Sequence, residues 1–362
     1  MVVRPSIRNA LIAAVAATVL IVGISAFALS GNQGKHTVAA PQSSTSTTSP
    51  SASPSATAAP TPTPKPAPAP KPAAVNPLTG VGPPPTGPVI AVKIDDTFDG
   101  RPSVGLEKAD IVYIEQAEGG LTRLVGVFGS SRPVVEPVRS VRASDPELLS
   151  QYGGIALVAS GGGGDSLPTL DASPVRGVIN DRGAPGFFRD GSRPVPYNLG
   201  VDLARVAAVT MTAGSRDVGF QWSQTDARLG RAASADQVNT VVGSTPVTFV
   251  WDAASHRYLR TIAGQVLRTA VGVPAAAPNV LVQLCQVTTN QADIDVTGHP
   301  SQYTHSVGTG RVALFRDGHR IDGRWSRVSA GAPTRFVDLA GHPLTLAPGG
   351  AYVVLASTGA PV

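Results

Sequence analysis

Pro88-Val89-Ile90-Ala91-Val92-Lys93-Ile94 and Asp110-Ile111-Val112-Tyr113-Ile114-Glu115 are β-branched apolar runs of strand length and are expected to form strands. Leu121 to Phe128 returns with apolar residues at 121, 124, 125, 127 and 128. The intervening Glu118-Gly119-Gly120 is turn chemistry, so the second and third runs are expected to pair as a hairpin. Ser103 to Ala109 is predicted to be a short helix. Asp145-Pro146-Glu147 reads as a helix start, with Asp as N-cap and Pro in the first turn. Ile155 to Ala159 is a further buried strand, and Val201 to Val209 has helical spacing.

Residues 216–244 are polar and weakly patterned and are expected to connect two domains. Beyond them come short strands at Val247 to Trp251, Tyr258 to Ile262, Gln265 to Thr269, Asn279 to Val287, Arg311 to Phe315, Arg320 to Arg327, Arg335 to Asp338 and Tyr352 to Ala356, most of them parted by Gly, Pro or Asp. That rhythm predicts antiparallel pairing. The expected fold class is α+β: a mixed α/β N-terminal domain over residues 76–230, then a mainly antiparallel β C-terminal domain over residues 240–358.

Toward the N-terminus, Ala10 to Leu29 carry no charge and come directly after Arg4 and Arg8. Twenty such residues make a helix of about 30 Å, a bilayer's hydrocarbon thickness, and the arginines place the chain beyond Leu29 outside the cytoplasm. Residues 1–36 are therefore either a cytoplasmic tail with a single-pass membrane anchor, or a signal cleaved after Ala26-Phe27-Ala28. Cleavage would leave a secreted chain. Residues 37–75 are almost entirely Ala, Pro, Ser and Thr, which predicts a disordered, partly polyproline stalk reaching on the order of 50–100 Å into a cell wall.

The formal net charge of +5 invites a nucleic-acid reading. Residues 1–94, however, hold six Lys or Arg and no Asp or Glu, leaving 23 of the 29 basic residues against all 24 acidic ones in the folded part. Phosphate-backbone binding needs a concentrated basic face, so nucleic acid is not an expected partner. The single cysteine, Cys285, excludes an internal disulfide and lies in an apolar run, as a small buried hydrophobe does. The Gly161–Gly164 run lacks the Lys-Ser/Thr of a P-loop and the spacing of a dinucleotide fingerprint. Asp293-Ile294-Asp295 with His299 or His305 matches no standard ligand spacing and reads as a solvated loop. No cofactor or metal is expected.

One constellation carries chemistry. Glu115, Glu118, Arg123, Arg139 and Arg142 fall within one stretch of strands and turns, where arginine forks suit a carboxylate or phosphate. The alternatives are an internal Glu/Arg network that fixes the loops, or Glu115 and Glu118 acting as the paired carboxylates of a hydrolase. Asp165 and Ser166 are placed to line a pocket at the end of the preceding strand. No catalytic residue is assigned. The arginines at 311, 316, 320, 324, 327 and 335 alternate with apolar residues and read either as one positive sheet face toward anionic wall polymer or lipid, or as a solvated face balanced by Asp317, Asp322 and Asp338.

Taken in order, Asn76 to Gly80, Pro88 to Asp95, Arg101 to Tyr113, Glu118 to Arg123 and Glu136 to Arg142 resemble the first domain of the YerB-like family. Trp251-Asp252, Tyr258 to Arg260, Gly264, Asn279 to Gln283, Gly308 to Val312 and Gly318 to Arg327 resemble its second. The resemblance implies an extracytoplasmic, lipoprotein-related envelope protein of two domains and assigns no chemistry. The chain departs from that pattern in two places. No cysteine stands near the N-terminal apolar segment to be acylated, and Ser160 to Ser166 replaces an expected His-containing Gly-rich turn. The expected function is a membrane-anchored envelope module that holds an anionic glycan, a peptide or a partner protein, through Glu118, Arg123, Arg139, Arg142, Asp165 and Ser166.

Overall fold

In the computed structural model, which describes residues 74–212, 214–294 and 298–362, the apolar runs become the middle of one large sheet. Strand β1 (Ile90–Asp95) and β2 (Ile111–Gln116) flank β3 (Thr122–Phe128), antiparallel to both. The β2–β3 link is the expected hairpin turn: Gly119 and Gly120 have φ of 61° and 74°, a region side chains disfavour. A Cβ on Gly120 would also meet the Ser244 backbone N at 3.0 Å.

The sheet extends from β1 through parallel β4 (Ala156–Ala159) to parallel β5 (Arg176–Ile179). In the other direction it runs into the second half. The last strand, β11 (Ala351–Ser357), lies between β2 and β7 (Asn279–Cys285), parallel to both. Val353 is registered with Tyr113 on one side and Leu281 on the other. Antiparallel β8 (Gly308–Arg316) and β9 (His319–Arg327) come next, and β6 (Ala233–Ser234) and β10 (Arg335–Asp338) pair with β9.

Every residue of β1, β3 and β7 is buried, which is why these segments read as continuous rather than alternating apolar runs. One core packs Tyr113, Val125, Leu157, Leu281 and Val353 against α1 (Ser144–Leu149), Tyr152 and Leu170 of α2 (Ser166–Asp171). The opposite core packs Ile94, Ile114, Val282 and Val354 against α3 (Leu203–Val209) and an antiparallel sheet built on Gln237–Val242, Thr245–Asp252 and Arg257–Ile262. Cys285 is fully buried, and desolvation pushes its thiol up to about 12.

Several expectations are corrected. Helix is scarcer than a mixed α/β first domain implies: Ser103 to Ala109 provides only the single 3-10 turn Leu106–Lys108. Asp145 is not an N-cap. Helix α1 starts from Ala143, and Asp145 is buried in its first turn, where its carboxylate serves a buried lysine instead. Asp202, by contrast, caps α3 by accepting from the Ala204 and Arg205 N–H groups. Residues 216–244 pack against the main sheet's neighbours: Phe220 stacks with Phe336, and Trp222 Nε1 donates to the Pro77 carbonyl at 2.9 Å. The arginine series forms no single positive face. Arg316 and Arg327 are buried, donating to the Thr345 carbonyl at 2.9 Å and the Glu147 carbonyl at 2.6 Å respectively. Among the described residues no helix is long and apolar enough to cross a membrane; the expected anchor and nearly all of the expected stalk lie outside them.

A buried ion pair joins the small sheet to the end of β1. Arg260 donates from both terminal nitrogens to Asp96, at 2.8 and 2.6 Å, and Thr122 donates to the same carboxylate at 2.6 Å. Burial pushes the Asp96 carboxyl up, but Arg260, Thr122 and Arg101 more than offset this and hold it below the usual carboxylate value. A depressed carboxylate contributes its stability above the unfolded value, near pH 4, and loses it as the pH falls further. Asp96→Asn should therefore cost about 3–5 kcal/mol at pH 7 because it strands Arg260. In urea unfolding that deficit should shrink as the pH approaches 3.

Candidate functional site

The pairing register sets a charged row across the carboxyl end of the strands. Asp95 of β1 lies opposite Arg123 of β3, which lies opposite Glu115 of β2. These positions continue the face that carries Val125 and Tyr113, so the charges emerge directly above one apolar core. One step inward, Lys93 is 0% exposed. It contacts the Glu115 carboxylate and donates to Asp145 Oδ1 at 2.8 Å. Desolvation lowers its pKa, the Asp145 charge and hydrogen bond oppose this, and the result stays below the usual lysine value. Asp145 Oδ2 also accepts the Arg142 N–H at 2.7 Å, so this buried network fixes the start of the Arg142 loop.

Above that floor lies a cavity of about 270 Å³, lined by Glu118, Arg123, Arg139, Ser140, Arg142, Gly163, Asp293 and Ile294. Arg139 Nε approaches Asp95 Oδ2 at 2.5 Å, and its guanidinium lies over the Tyr197 ring, 5.1 Å from the centroid. That geometry is a cation–π contact. Arg123 reaches the same Asp95 oxygen at 3.8 Å and donates to the Thr122 carbonyl at 3.0 Å. Arg142 contacts the Glu118 carboxylate. The Gly-rich run comes alongside because the Val141 N–H donates to the Gly161 carbonyl at 2.9 Å. A Cβ on Gly163 would lie 2.6 Å from Asp293 Oδ1.

Four of the expected site residues, Glu118, Arg123, Arg139 and Arg142, thus share one cavity. Asp165 and Ser166 stand behind it, holding the antiparallel arm Val287–Ile294/Pro300–Thr304. Ser166 Oγ donates to Asp293 Oδ2 at 2.6 Å, and Asp165 accepts from Asn290 Nδ2 at 2.9 Å. Glu147 pins the base of the arm by accepting from the Ser306 and Val307 N–H groups at 2.6 and 2.9 Å. Asp293 is 3% exposed, not the solvated loop residue its polar neighbours indicate. It arrives from 127 positions beyond Ser166, so no local spacing announces it.

Glu115 does not line the cavity; it is buried beneath with Lys93. Desolvation pushes the Glu118 carboxyl up, but the Arg142 hydrogen bond and charge reverse this and hold it below the usual value. A glycosidase acid needs the opposite shift, so the Glu115/Glu118 pair lacks the features of that chemistry. The Glu118–Arg142 contribution is present above the unfolded carboxyl value, near pH 4.5, and is lost at lower pH. Glu118→Gln should cost about 1–3 kcal/mol at pH 7, a deficit that shrinks as the pH falls below the unfolded carboxyl value, read as the shift in urea midpoint.

Comparison with known proteins agrees with this architecture. The family description "Protein of unknown function (DUF3048) N-terminal domain" matches residues 78–216, and the corresponding C-terminal domain matches residues 237–353. The chain is 29% identical over 254 residues to "Putative lipoprotein YerB" of Bacillus subtilis, covering 66% of this chain and 73% of that protein. The crystal structure of the Bacillus subtilis YerB protein superposes with a TM-score of 0.65 at 22% identity, covering 78% of this chain and 96% of that one. The two domain matches, in order along one chain that folds as YerB does, place this protein in the YerB-like family.

Proposed function

We propose that this chain is an envelope protein, tethered outside the cytoplasm by its N-terminal segment, that captures a carboxylate- or phosphate-bearing group of a wall polymer, peptide or partner protein. The observation that carries this reading is the meeting of Arg123, Arg139 and Arg142, from one strand and the loop beyond it, around a single cavity at the carboxyl ends of β1 and β2. Sheets with parallel strands present ligand sites at that end. Guanidinium groups arranged around a small space match the geometry of carboxylate and phosphate oxygens. The volume, about 270 Å³, lies below the range typical of drug-sized ligands. It suits the end of a polymer or peptide, not a length of chain.

The tether reading rests on the uncharged Ala10 to Leu29 segment and on the lipoprotein description of the Bacillus subtilis relative. A helical anchor would serve where an acylated cysteine serves a lipoprotein.

Arg139 is the residue to test, being 20% exposed at its side chain and bound to the frame through Asp95 and Tyr197. Titration calorimetry of the full-length chain with soluble peptidoglycan fragments should give Arg139→Gln at least about tenfold weaker binding, the loss of one charge-assisted contact. Its melting temperature should fall, because the substitution removes the nearest partner of the buried Asp95, so affinities are compared at a temperature where both proteins are folded. Equal affinity for both proteins would show that the arginines only brace the loops.

A further inference from the structure

The charges around the cavity nearly cancel. Arg123, Arg139 and Arg142 line the cavity together with Asp293 and with Glu118, which Arg142 contacts, Asp95 lies beneath two of the arginines, and Lys93 beneath them is shared between Glu115 and Asp145. Four cations therefore stand among five carboxylates. A site built for a bare or multiply charged anion would leave its guanidinium groups in excess, because desolvating an anion against a neutral surround gains little. Here each arginine already has a carboxylate partner, and the carboxylates are set unevenly. Asp95 belongs to the arginine side of the cavity, whereas Asp293 comes from the separate arm and is fixed there by Ser166.

We propose, resting on the binding function argued above, that the cavity takes a zwitterion: the end of a short peptide or an amino acid, its carboxylate on the arginine side at Arg123 and Arg139 and its ammonium toward Asp293, whose carboxylate is held by the Ser166 hydroxyl. The cavity, about 270 Å³ and below the range typical of drug-sized ligands, suits an amino acid or the end of a short peptide. Ile294, beside Asp293 in the lining and largely exposed, offers apolar surface to a small side chain between the two charged ends. A glycan phosphate meets only half of this arrangement, because it brings nothing for Asp293.

Titration calorimetry of the full-length chain in detergent micelles with four probes separates the possibilities: alanyl-alanine with free ends, its N-acetyl form, its C-terminal amide, and inorganic phosphate. The zwitterion reading predicts that the free dipeptide binds and that each capped form binds at least tenfold more weakly. Asp293→Asn keeps the Ser166 contact available. It should bring the free and N-acetyl dipeptides to within about twofold of each other while leaving the penalty for the amide in place. Equal binding of the N-acetyl and free dipeptides to the unsubstituted protein would overturn the inference yet leave anion capture standing. Binding of phosphate without the dipeptide would do the same. If none of the four binds and soluble peptidoglycan fragments also fail, the inference and the proposed function fall together.

Discussion

The structure depends on the position of one strand. Residues 351–357, the last element of the described chain, insert between residues 111–116 and 279–285 and run parallel to both. A parallel neighbour supplies evenly spaced hydrogen bonds along its length, so two regions distant in sequence become one sheet buried on both faces. Because the strands at 90–95, 111–116, 279–285 and 351–357 all point the same way, the loops at their carboxyl ends gather on one side of the molecule. The arm that leaves Cys285 and carries Asp293 is thereby delivered to the arginine loop of the first half.

Buried charge is what makes that end a site. Lys93, Glu115, Asp145 and Asp95 are each nearly inaccessible, and a charge in that environment is tolerated only when paired. The pairing has a mechanical consequence: Lys93 positions Asp145, Asp145 holds the backbone of Arg142, and Asp95 aligns Arg123 and Arg139. Guanidinium groups held before a ligand arrives lose less conformational entropy on binding it.

The first half is legible because its information is local. The runs at 88–94, 110–115 and 121–128 declare strands, and the expected hairpin between the last two sets Glu115 against Arg123; the arginine cluster lies within thirty residues of that turn. The hidden features depend on tertiary placement. Asp145 carries the local signature of a cap, but the demand of Lys93 for a second carboxylate outweighs capping. Arg316 and Arg327 look like surface residues in an alternating pattern, yet both are inside, satisfied by main-chain carbonyls. Asp293 has a polar local sequence, and only the folding of the arm over Gly163 and Ser166 buries it. Asp165 and Ser166 stand at the expected end of the sheet but support the arm from behind.

Native-state hydrogen exchange across a denaturant series tests the shared sheet most directly. If the strand at 351–357 binds the two halves into one cooperative unit, the amides of residues 90–95, 111–116, 279–285 and 351–357 should open at the same limiting free energy and with the same denaturant dependence. If residues 90–95 and 111–116 open at a distinctly lower free energy while 279–285 stays protected, the halves fold as independent domains and the account is contradicted.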